Sequence, residues 1–481
     1  MAKLTVSEIL AIVAFFSILS VAGFFVLEEK RSLAELDRET MSGVPTSGGK
    51  KEPSATWSKK IGGVKDEYIG LVQQTSDGGY IAIGDTYSFG TGLIAVKFDA
   101  GGDVSWSRLI LRGGDCRSMQ QTSDGGYIVT GSDSEENDIF VAKLSRWGDM
   151  DWFKKIREPG FPWAEAESIN QTLDGGYILA GQTYSEDYSE LVVIKLGPSG
   201  DIIWTKNISK KERYSSQDCQ SIRQTSNGEY ILSGNVRNGG PTSVFITKLD
   251  IFGNVSWSKN VETGFVDKSY AQPTSDGGYI LVGNSDNSNE NNEFKKDAIV
   301  LKFDPSGELS WSKIFVEGPD SDVAGEFIQQ TSDGGYLVSG VLFYPDLYEV
   351  YLLAFKLDHS GNVSWSKKIE TEIGEASYGL QTTSDGGYIM LSTGGLSNGT
   401  ETGMDTIVSK LDSLLSIPGC LGSSDVKLTS PFFSPRVTSG GMASVEIEMT
   451  ASNELLDTSI PGIKSVDAGY CPQPNYDTSL R

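Results

Sequence analysis

The stretch Gln74-Thr75-Ser76-Asp77-Gly78-Gly79-Tyr80-Ile81 occurs, with small changes, seven times along this chain. In each copy an Asp or Asn is followed three positions later by tyrosine, and successive copies lie 47 to 57 residues apart. These positions are Asp77, Asp124, Asp174, Asn227, Asp276, Asp333 and Asp385. A fixed period near fifty residues indicates an array of structural repeats. The 481 residues are therefore organised mainly as one large array and not as several unrelated domains.

A second phrase alternates with the first and ends in tryptophan, as from Lys97 to Trp106. Short apolar and β-branched runs lie between the two phrases and are bounded by turn residues, which is typical of strands. The first repeat predicts four strands, Tyr68–Thr75, Tyr80–Asp85, Leu93–Phe98 and Val104–Leu109. We name them A, B, C and D. Four short antiparallel strands per repeat predict an all-β chain, a β-propeller with four-stranded blades.

The tryptophans of the second phrase are out of phase with the tyrosine phrases. They are Trp57, Trp106, Trp152, Trp204, Trp257, Trp311 and Trp365. Trp57 precedes the first Asp-Gly-Gly, and the last repeat ends at Ile417-Pro418-Gly419 without a tryptophan. Ring closure explains this shift, because an N-terminal strand that completes the last blade leaves no sheet edge open. We predict a seven-bladed propeller over residues 56–419.

The N-terminal segment differs in composition from the repeats. Residues 9–27 are apolar apart from two serines and a glycine, and they are long enough to cross a bilayer as a helix. We predict that residues 1–40 form a transmembrane helix with a charged extension, and that residues 41–55 form a flexible linker. The propeller would then be held outside the cell by a single membrane pass. A cleaved signal, which would leave it secreted or at the cell surface, is the alternative.

The same segment resembles the N-terminus of type IV pilins. In that family a basic leader is removed, and a Glu occupies the fifth mature position within a hydrophobic helix. With Leu4 as the first mature residue, Glu8 takes that place, although the leader ends Ala2-Lys3 without the usual glycine. The resemblance implies a structural subunit of a surface filament. In an ordinary anchor, Glu8 would instead lie at the lipid headgroups.

The repeat region, residues 57–419, resembles the secreted bacterial and archaeal proteins that carry Asp-Gly-Gly-Tyr-Ile blades. Its Asp-x-x-Gly-x-x-x-Trp phrase is also similar to the tryptophan-docking motif of quinoprotein dehydrogenase propellers, with one residue fewer between Asp and Gly. From the residues themselves we expect the tryptophans to pack between blades and the turn glycines to supply positive φ angles.

Residues 420–481 are predicted to form a tail or small β extension, with one strand pair that includes Val445-Glu446-Ile447-Glu448-Met449. Cys420 and Cys471 bracket this tail, and a disulfide between them would suit an oxidising compartment. Cys116 and Cys219 occupy the same place in blades two and four. Because that places them too far apart for a bond, we predict buried free thiols.

Composition and motifs exclude several classes of function. The net charge of −24 argues against a nucleic-acid partner, because phosphate binding depends on Lys and Arg. His359 is the only histidine, which disfavours histidine-based metal sites and general acid–base schemes. The chain has no Walker or Cys-x-x-Cys motif. We predict no organic cofactor, with Ca²⁺ as a candidate ion.

One candidate site follows from the strand order. The A–B and C–D turns share one face of such a ring, and the longer D–A and B–C loops share the other, which we call the variable face. A carboxylate recurs just before strand A, at Glu67, Asp115, Glu165, Asp218, Asp267, Asp322 and Glu375. If strand A lines the channel, these residues form an acidic collar for a cation or a cationic ligand. Alternatively, each accepts a backbone hydrogen bond at the start of its strand, as a repeated structural device.

The sequence favours a non-enzymatic binding or adhesion module that meets an unknown protein or glycan through the variable face, where function on rigid scaffolds is usually found. Two alternatives remain. One is the pilin-like filament subunit, and the other is a propeller enzyme, either quinoprotein-like or carbohydrate-active.

Overall fold

Seven antiparallel sheets, each built around four strands A to D that are consecutive in all blades but the seventh, form the blades of a ring. The computed structural model describes residues 56–61, 66–87, 91–157, 163–184, 189–209, 216–237, 242–263, 269–286, 295–347, 349–369, 377–395, 404–417, 423–428, 430, 436–439, 443–446, 450–453 and 466–467. The predicted anchor, the linker, Cys420 and Cys471 lie outside these residues. Within them, no helix has the length and apolarity needed to cross a membrane.

The strands of the first four blades follow one another in chain order after β1 (Trp57–Ile61). Blade one contains β2 (Glu67–Gln74), β3 (Tyr80–Thr86), β4 (Gly92–Phe98) and β5 (Val104–Arg112). Blade two contains β6 (Asp115–Gln121), β7 (Tyr127–Asp133), β8 (Asp138–Leu144) and β9 (Met150–Arg157). Blade three contains β10 (Trp163–Gln171), β11 (Tyr177–Tyr184), β12 (Ser189–Leu196) and β13 (Ile202–Ser209). Blade four contains β14 (Ser216–Gln224), β15 (Tyr230–Arg237), β16 (Ser243–Leu249) and β17 (Val255–Glu262).

The remaining blades continue the same order. Blade five contains β18 (Ser269–Pro273), β19 (Tyr279–Asp286), β20 (Lys296–Phe303) and β21 (Leu309–Phe315). Blade six contains β22 (Asp322–Gln330), β23 (Tyr336–Tyr344), β24 (Glu349–Leu357) and β25 (Val363–Ile369). Blade seven contains β26 (Ser377–Thr382), β27 (Tyr388–Gly395) and β28 (Met404–Leu411), and its strand D is β1.

The N-terminal strand closes the ring as predicted. Strand β1 pairs antiparallel with β28, and the register places Trp57 opposite Lys410. Blade seven also contacts blade one, since the backbone N–H of Ile69 donates to Thr406 Oγ1 at 2.9 Å. The seven-bladed, all-β architecture is therefore confirmed. Each blade core is made from the buried faces of its own strands and those of the next blade.

The A–B turn is fixed by the aspartate of the repeated phrase. Asp77 Oδ1 accepts hydrogen bonds from Thr75 Oγ1 at 2.5 Å and from the Gly79 N–H at 3.0 Å. Its other oxygen pairs with Lys97 of strand C at 3.0 Å, and Gly78 takes a φ of 82°. The same ion pair recurs in Asp124–Lys143, Asp174–Lys195, Asp276–Lys302, Asp333–Lys356 and Asp385–Lys410.

Blade four makes this ion pair from a different position. Asn227 replaces the aspartate and Glu229 replaces the second glycine, and the Glu229 carboxylate lies 2.7 Å from Lys248 Nζ. The lysine therefore keeps its carboxylate partner, which is supplied from two residues further along the turn.

We expect Glu229→Gln to lower the free energy of unfolding by about 1–3 kcal/mol, because Lys248 would lose the ionised partner of a largely buried ammonium. Urea unfolding of the parent and variant measures this. The double variant Asn227→Asp with Glu229→Gly rebuilds the turn of the other six blades and should recover most of the loss. Equal stability of Glu229→Gln and the parent would contradict this function of the ion pair.

The tryptophans join each blade to the next, as expected. Trp57 of blade seven contacts Tyr80 of blade one edge-to-face at 5.4 Å, and its Nε1–H donates to the Ala100 carbonyl at 3.1 Å. A Cβ on the C–D turn glycine would lie 2.6–2.9 Å from the indole in Trp57–Gly102, Trp106–Gly148, Trp152–Gly200, Trp204–Gly253, Trp257–Gly307 and Trp311–Gly361. At the seventh junction, Trp365 packs near Leu415, which takes a φ of 61°.

The glutamine of the phrase links neighbouring A–B turns around the ring. Gln74 Oε1 accepts from the backbone N–H of Ser384 in blade seven at 2.7 Å, which connects the last blade to the first. Equivalent bonds are Gln121–Ser76, Gln171–Ser123, Gln224–Leu173 and Gln330–Ser275. The phrase therefore determines both the turn within a blade and the contact between blades.

The tail pairs with the blades. Strands β29 (Ser423–Asp425), β30 (Arg436–Ser439), β31 (Ala443–Glu446), β32 (Thr450–Asn453) and β33 (Val466–Asp467) add a fifth strand to blades six, four, three, two and seven, respectively. The predicted strand near Val445 exists, but its partner is β13 of blade three, in place of a second strand of the tail.

Candidate binding site in the central channel

A cavity of about 1060 Å³ lies at the centre of the ring and is lined by strand A of all seven blades. Cavities of this size accommodate small molecules or side chains of a partner. The wall carries the carboxylates Asp85, Asp115, Glu167 and Glu326 and the guanidinium groups of Arg117 and Arg223. It is therefore polar, and negatively charged groups outnumber positively charged ones.

Several of the polar groups in the cavity wall come from β-bulges. The A–B register shifts by one residue at Gly70, Arg117, Glu167, Gln220, Glu326 and Tyr378, whereas blade five pairs without a shift. A bulge inserts one extra residue and turns its side chain away from the regular alternation. The first five of these residues line the cavity, and Tyr270 enters it from blade five.

Arg117 and Glu167 belong to neighbouring blades at one side of the cavity. Arg117 pairs with Asp115 at 2.6 Å. Glu167 Oε1 accepts from Gln182 Nε2 at 3.3 Å, and Gln182 Oε1 accepts from the Cys219 N–H at 3.0 Å. Gln182 is buried and connects blade three to blade four, so it positions the Glu167 carboxyl.

The cavity destabilises negative charge on its own carboxyl groups. Burial and the neighbouring carboxylates raise the pKa of Glu167 to about 7, against the opposing effect of Arg117. Burial and Asp115 raise the pKa of Asp85 to about 6. Burial, Glu167 and Glu326 also raise the pKa of the Tyr270 hydroxyl. These shifts indicate a negative potential that Arg117 only partly neutralises.

The predicted collar lies at different levels of the ring. The members Asp115, Glu165 and Asp218 pair with the same position of strand B, at Ser132, Gln182 and Asn235. Glu67 and Asp322 pair one and two residues further along strand B, at Thr86 and Phe343. Asp267 and Glu375 lie outside the described residues.

Four of the described collar residues accept hydrogen bonds, three of them within their own blade and Asp322 from the neighbouring blade five. Glu67 is buried and lies 3.3 Å from Thr86 Oγ1, and Glu165 lies 3.4 Å from the Tyr184 hydroxyl. Asp322 accepts from the Lys296 N–H at 3.0 Å. Asp115 accepts from Ser132 Oγ at 2.5 Å, and it is the one described collar residue that lines the cavity. Of these four bonds, the one to Asp322 comes from a backbone N–H, as the structural alternative requires, and the other three come from side-chain hydroxyl groups.

Metal and thiol chemistry find little support in the described part of the chain. No group of three or more His, Cys, Asp or Glu side chains is arranged there to hold a metal ion. Cys116 and Cys219 are free, as predicted; Cys219 is buried and Cys116 is half-buried. Burial raises the pKa of both thiols, which disfavours the thiolate that nucleophilic chemistry requires.

The bulged residues are absent from the predicted site, because the predicted strand A is a regular strand without bulges. A signal was nevertheless present. Five residues before the threonine of the phrase, a polar residue interrupts the apolar or small residues in Cys116-Arg117-Ser118, Ala166-Glu167-Ser168, Cys219-Gln220-Ser221 and Gly325-Glu326-Phe327. An interruption that recurs at one position of a repeat is typical of a bulge.

No protein-family model matches the chain, and no curated protein shows significant sequence similarity to it. Among solved structures, it is similar to a protein of unknown function from Bacteroides caccae (11% identity, 65% of this chain and 93% of that one, TM-score 0.37). It is also similar to the polysaccharide lyase Uly1 (10% identity, 78% and 94%, TM-score 0.43). A third similar structure is the Nup133 β-propeller domain of Vanderwaltozyma polyspora (11% identity, 66% and 89%, TM-score 0.34).

Proposed function

We propose that this protein is a non-enzymatic binding module that takes a cationic group of its ligand, an ammonium or guanidinium, into the central cavity from the variable face. Residues 9–27 would hold it at the outer surface of a membrane. The ligand would be a protein or glycan that displays such a group. The observation that carries the proposal is the bulged wall, which directs Glu167 and Glu326 into a cavity where carboxylates outnumber guanidinium groups.

A bound cation would relieve the electrostatic cost that raises the pKa values of Glu167 and Asp85. The aromatic ring of Tyr270 in the same wall can contribute a cation–π contact. Arg117 would remain paired with Asp115 and would disfavour a second positive charge beside it. The cavity should therefore select one cationic group and reject anions.

The test is calorimetry on the full-length chain with a blocked tripeptide, acetyl-Gly-Lys-Gly-amide. We expect binding at pH 8 that weakens about tenfold at pH 5.5, because Glu167 becomes protonated as the pH falls through about 7. The norleucine and glutamate versions of the peptide should not bind. Equal binding of the norleucine peptide, or no binding of the lysine peptide, would contradict the proposal.

The variant Glu167→Gln should weaken binding of the lysine peptide at pH 8 by at least tenfold, since it removes an ionised partner from a desolvated site. Asp124→Asn is the matched control, because Asp124 lies in the A–B turn of blade two and is absent from the cavity wall. It should bind like the parent. Equal loss in both variants would point to a folding defect.

A second function, a carbohydrate-active enzyme, is favoured by one observation. A carboxyl group with a pKa of about 7 suits a general acid, and Glu167 shares its cavity with the carboxylate of Asp115. Turnover of a polysaccharide that Glu167→Gln abolishes would support this function. Binding of the lysine peptide without turnover of any glycan would support the binding module.

A further inference from the structure

The tail meets the ring at one repeating position. In each strand D that it touches, the lysine two residues after the tryptophan is opposite a tail residue. The pairs are Lys367–Asp425, Lys259–Ser439, Lys206–Glu446, Lys154–Asn453 and Lys59–Asp467. The corresponding blades are six, four, three, two and seven. Successive strands of the tail therefore pair with blades in decreasing order, from blade six to blade two and then to blade seven. The blades themselves follow one another along the chain in increasing order.

The spacing of these contacts is regular. Asp425 and Ser439 are 14 residues apart and pair with blades that are two places apart. Ser439, Glu446 and Asn453 follow at intervals of seven residues on adjacent blades. Asn453 and Asp467 are again 14 residues apart on blades two places apart. Between the paired positions, the tail therefore advances by seven residues per blade, or by fourteen across two blades.

A seven-residue step is physically consistent with a tail that runs around the rim. Seven extended residues cover at most about 25 Å. The tail strands are antiparallel to every strand D that they pair with, so all five have the same direction relative to their blades. They also cover strand edges that would otherwise be open to pairing with another chain.

We propose that strands β29 to β33 form a belt, in register with the ring at seven residues per blade, that locks the strand on which ring closure depends. Strand β1 has five residues and pairs with β28 on one side and with β33 on the other. The ring therefore opens at blade seven only if β1 separates from β28, and the end of the belt opposes that separation. This inference is independent of the ligand.

Engineered cysteine pairs in the full chain test the register. Adjacent antiparallel pairs alternate between Cα separations of about 4.5 and 5.5 Å, so at least one of two neighbouring pairs should form a disulfide. We expect a disulfide in the variant Lys259→Cys with Ser439→Cys, in the variant Asn260→Cys with Thr438→Cys, or in both. The control, Lys259→Cys with Glu446→Cys, is displaced by one seven-residue step and should not link. Linking of the control, or of neither matched pair, overturns the belt.

A second measurement tests the lock. With Lys59→Cys and Asp467→Cys, oxidation should slow the unfolding rate at least tenfold relative to the same protein after reduction. The oxidised Lys259→Cys, Ser439→Cys variant, which fastens the belt at blade four only, should slow it less. An unfolding rate that does not change on oxidation of the Lys59–Asp467 pair overturns the locking function.

Discussion

Replacing Gly307 with alanine should lower the free energy of unfolding by about 2–5 kcal/mol. This glycine of blade five has a φ of 84°, and an added Cβ would lie 2.8 Å from the indole of Trp257. A left-handed backbone costs a residue with a side chain about 1–2 kcal/mol. Overpacking against the partly buried tryptophan adds about 1–3 kcal/mol, because the indole would have to leave its contact with Tyr279.

Gly334→Ala separates these two costs. Gly334 has nearly the same φ, 81°, but no atom lies within 4 Å of the added Cβ. It should therefore show the backbone cost alone. Urea unfolding of both variants gives the cost of the tryptophan contact as the difference between them. Equal losses would mean that the tryptophans do not hold neighbouring blades together in the way that the packing indicates.

Glu167→Gln should raise stability by about 2 kcal/mol at pH 8 and change it little at pH 5. Because the folded-state pKa of Glu167 is about 7, above the ordinary value of 4.5, the folded protein binds the extra proton between these values. Stability therefore falls as the pH rises from about 4.5 to about 7, and the loss is complete above 7. A shift of this size corresponds to roughly 3 kcal/mol, and glutamine imitates the neutral form.

The pH dependence is measured by urea unfolding at both pH values, and Asp124→Asn is again the control. Burial opposes the shift, but hydrogen bonds from Thr122 and Lys143 lower the pKa of Asp124 to about 2. The Asp124 carboxylate is then ionised in the folded and in the unfolded protein from pH 5 to pH 8. Asp124→Asn should therefore destabilise the ring equally at both pH values. A loss of stability in Glu167→Gln at pH 8 would contradict the negative potential of the cavity.

The sequence was sufficient to predict the ring because its signals act locally and recur. The Asp77 turn needs glycine at Gly78, where φ is positive, and Trp57 lies before the first such turn and has no counterpart after the last. These facts determine strand order, blade number and closure. The strand bounds of blade one differ from the predicted ones by at most three residues, since turn glycines and β-branched runs mark them clearly.

The cavity wall and the path of the tail depend on information that is not local. A bulge at Glu167 changes which side chain enters the channel, whereas the candidate carboxylates predicted from the sequence lie just before strand A. The tail has no internal similarity at seven residues, because its step is set by the spacing of the blades. Blade four shows the same limit. The sequence shows Asn227 in place of the aspartate, but only the structure shows that Glu229 forms the ion pair with Lys248 instead.

The most direct test of the cationic site is the number of protons released on binding. Calorimetry of the full-length chain with acetyl-Gly-Lys-Gly-amide at pH 7, in buffers of different ionisation enthalpy, measures it. With a pKa of about 7, Glu167 is about half protonated in the free protein, so binding should release about half a proton per peptide. The Glu167→Gln variant should release far less. Binding of the peptide without proton release from the parent protein would contradict a cationic site built around Glu167.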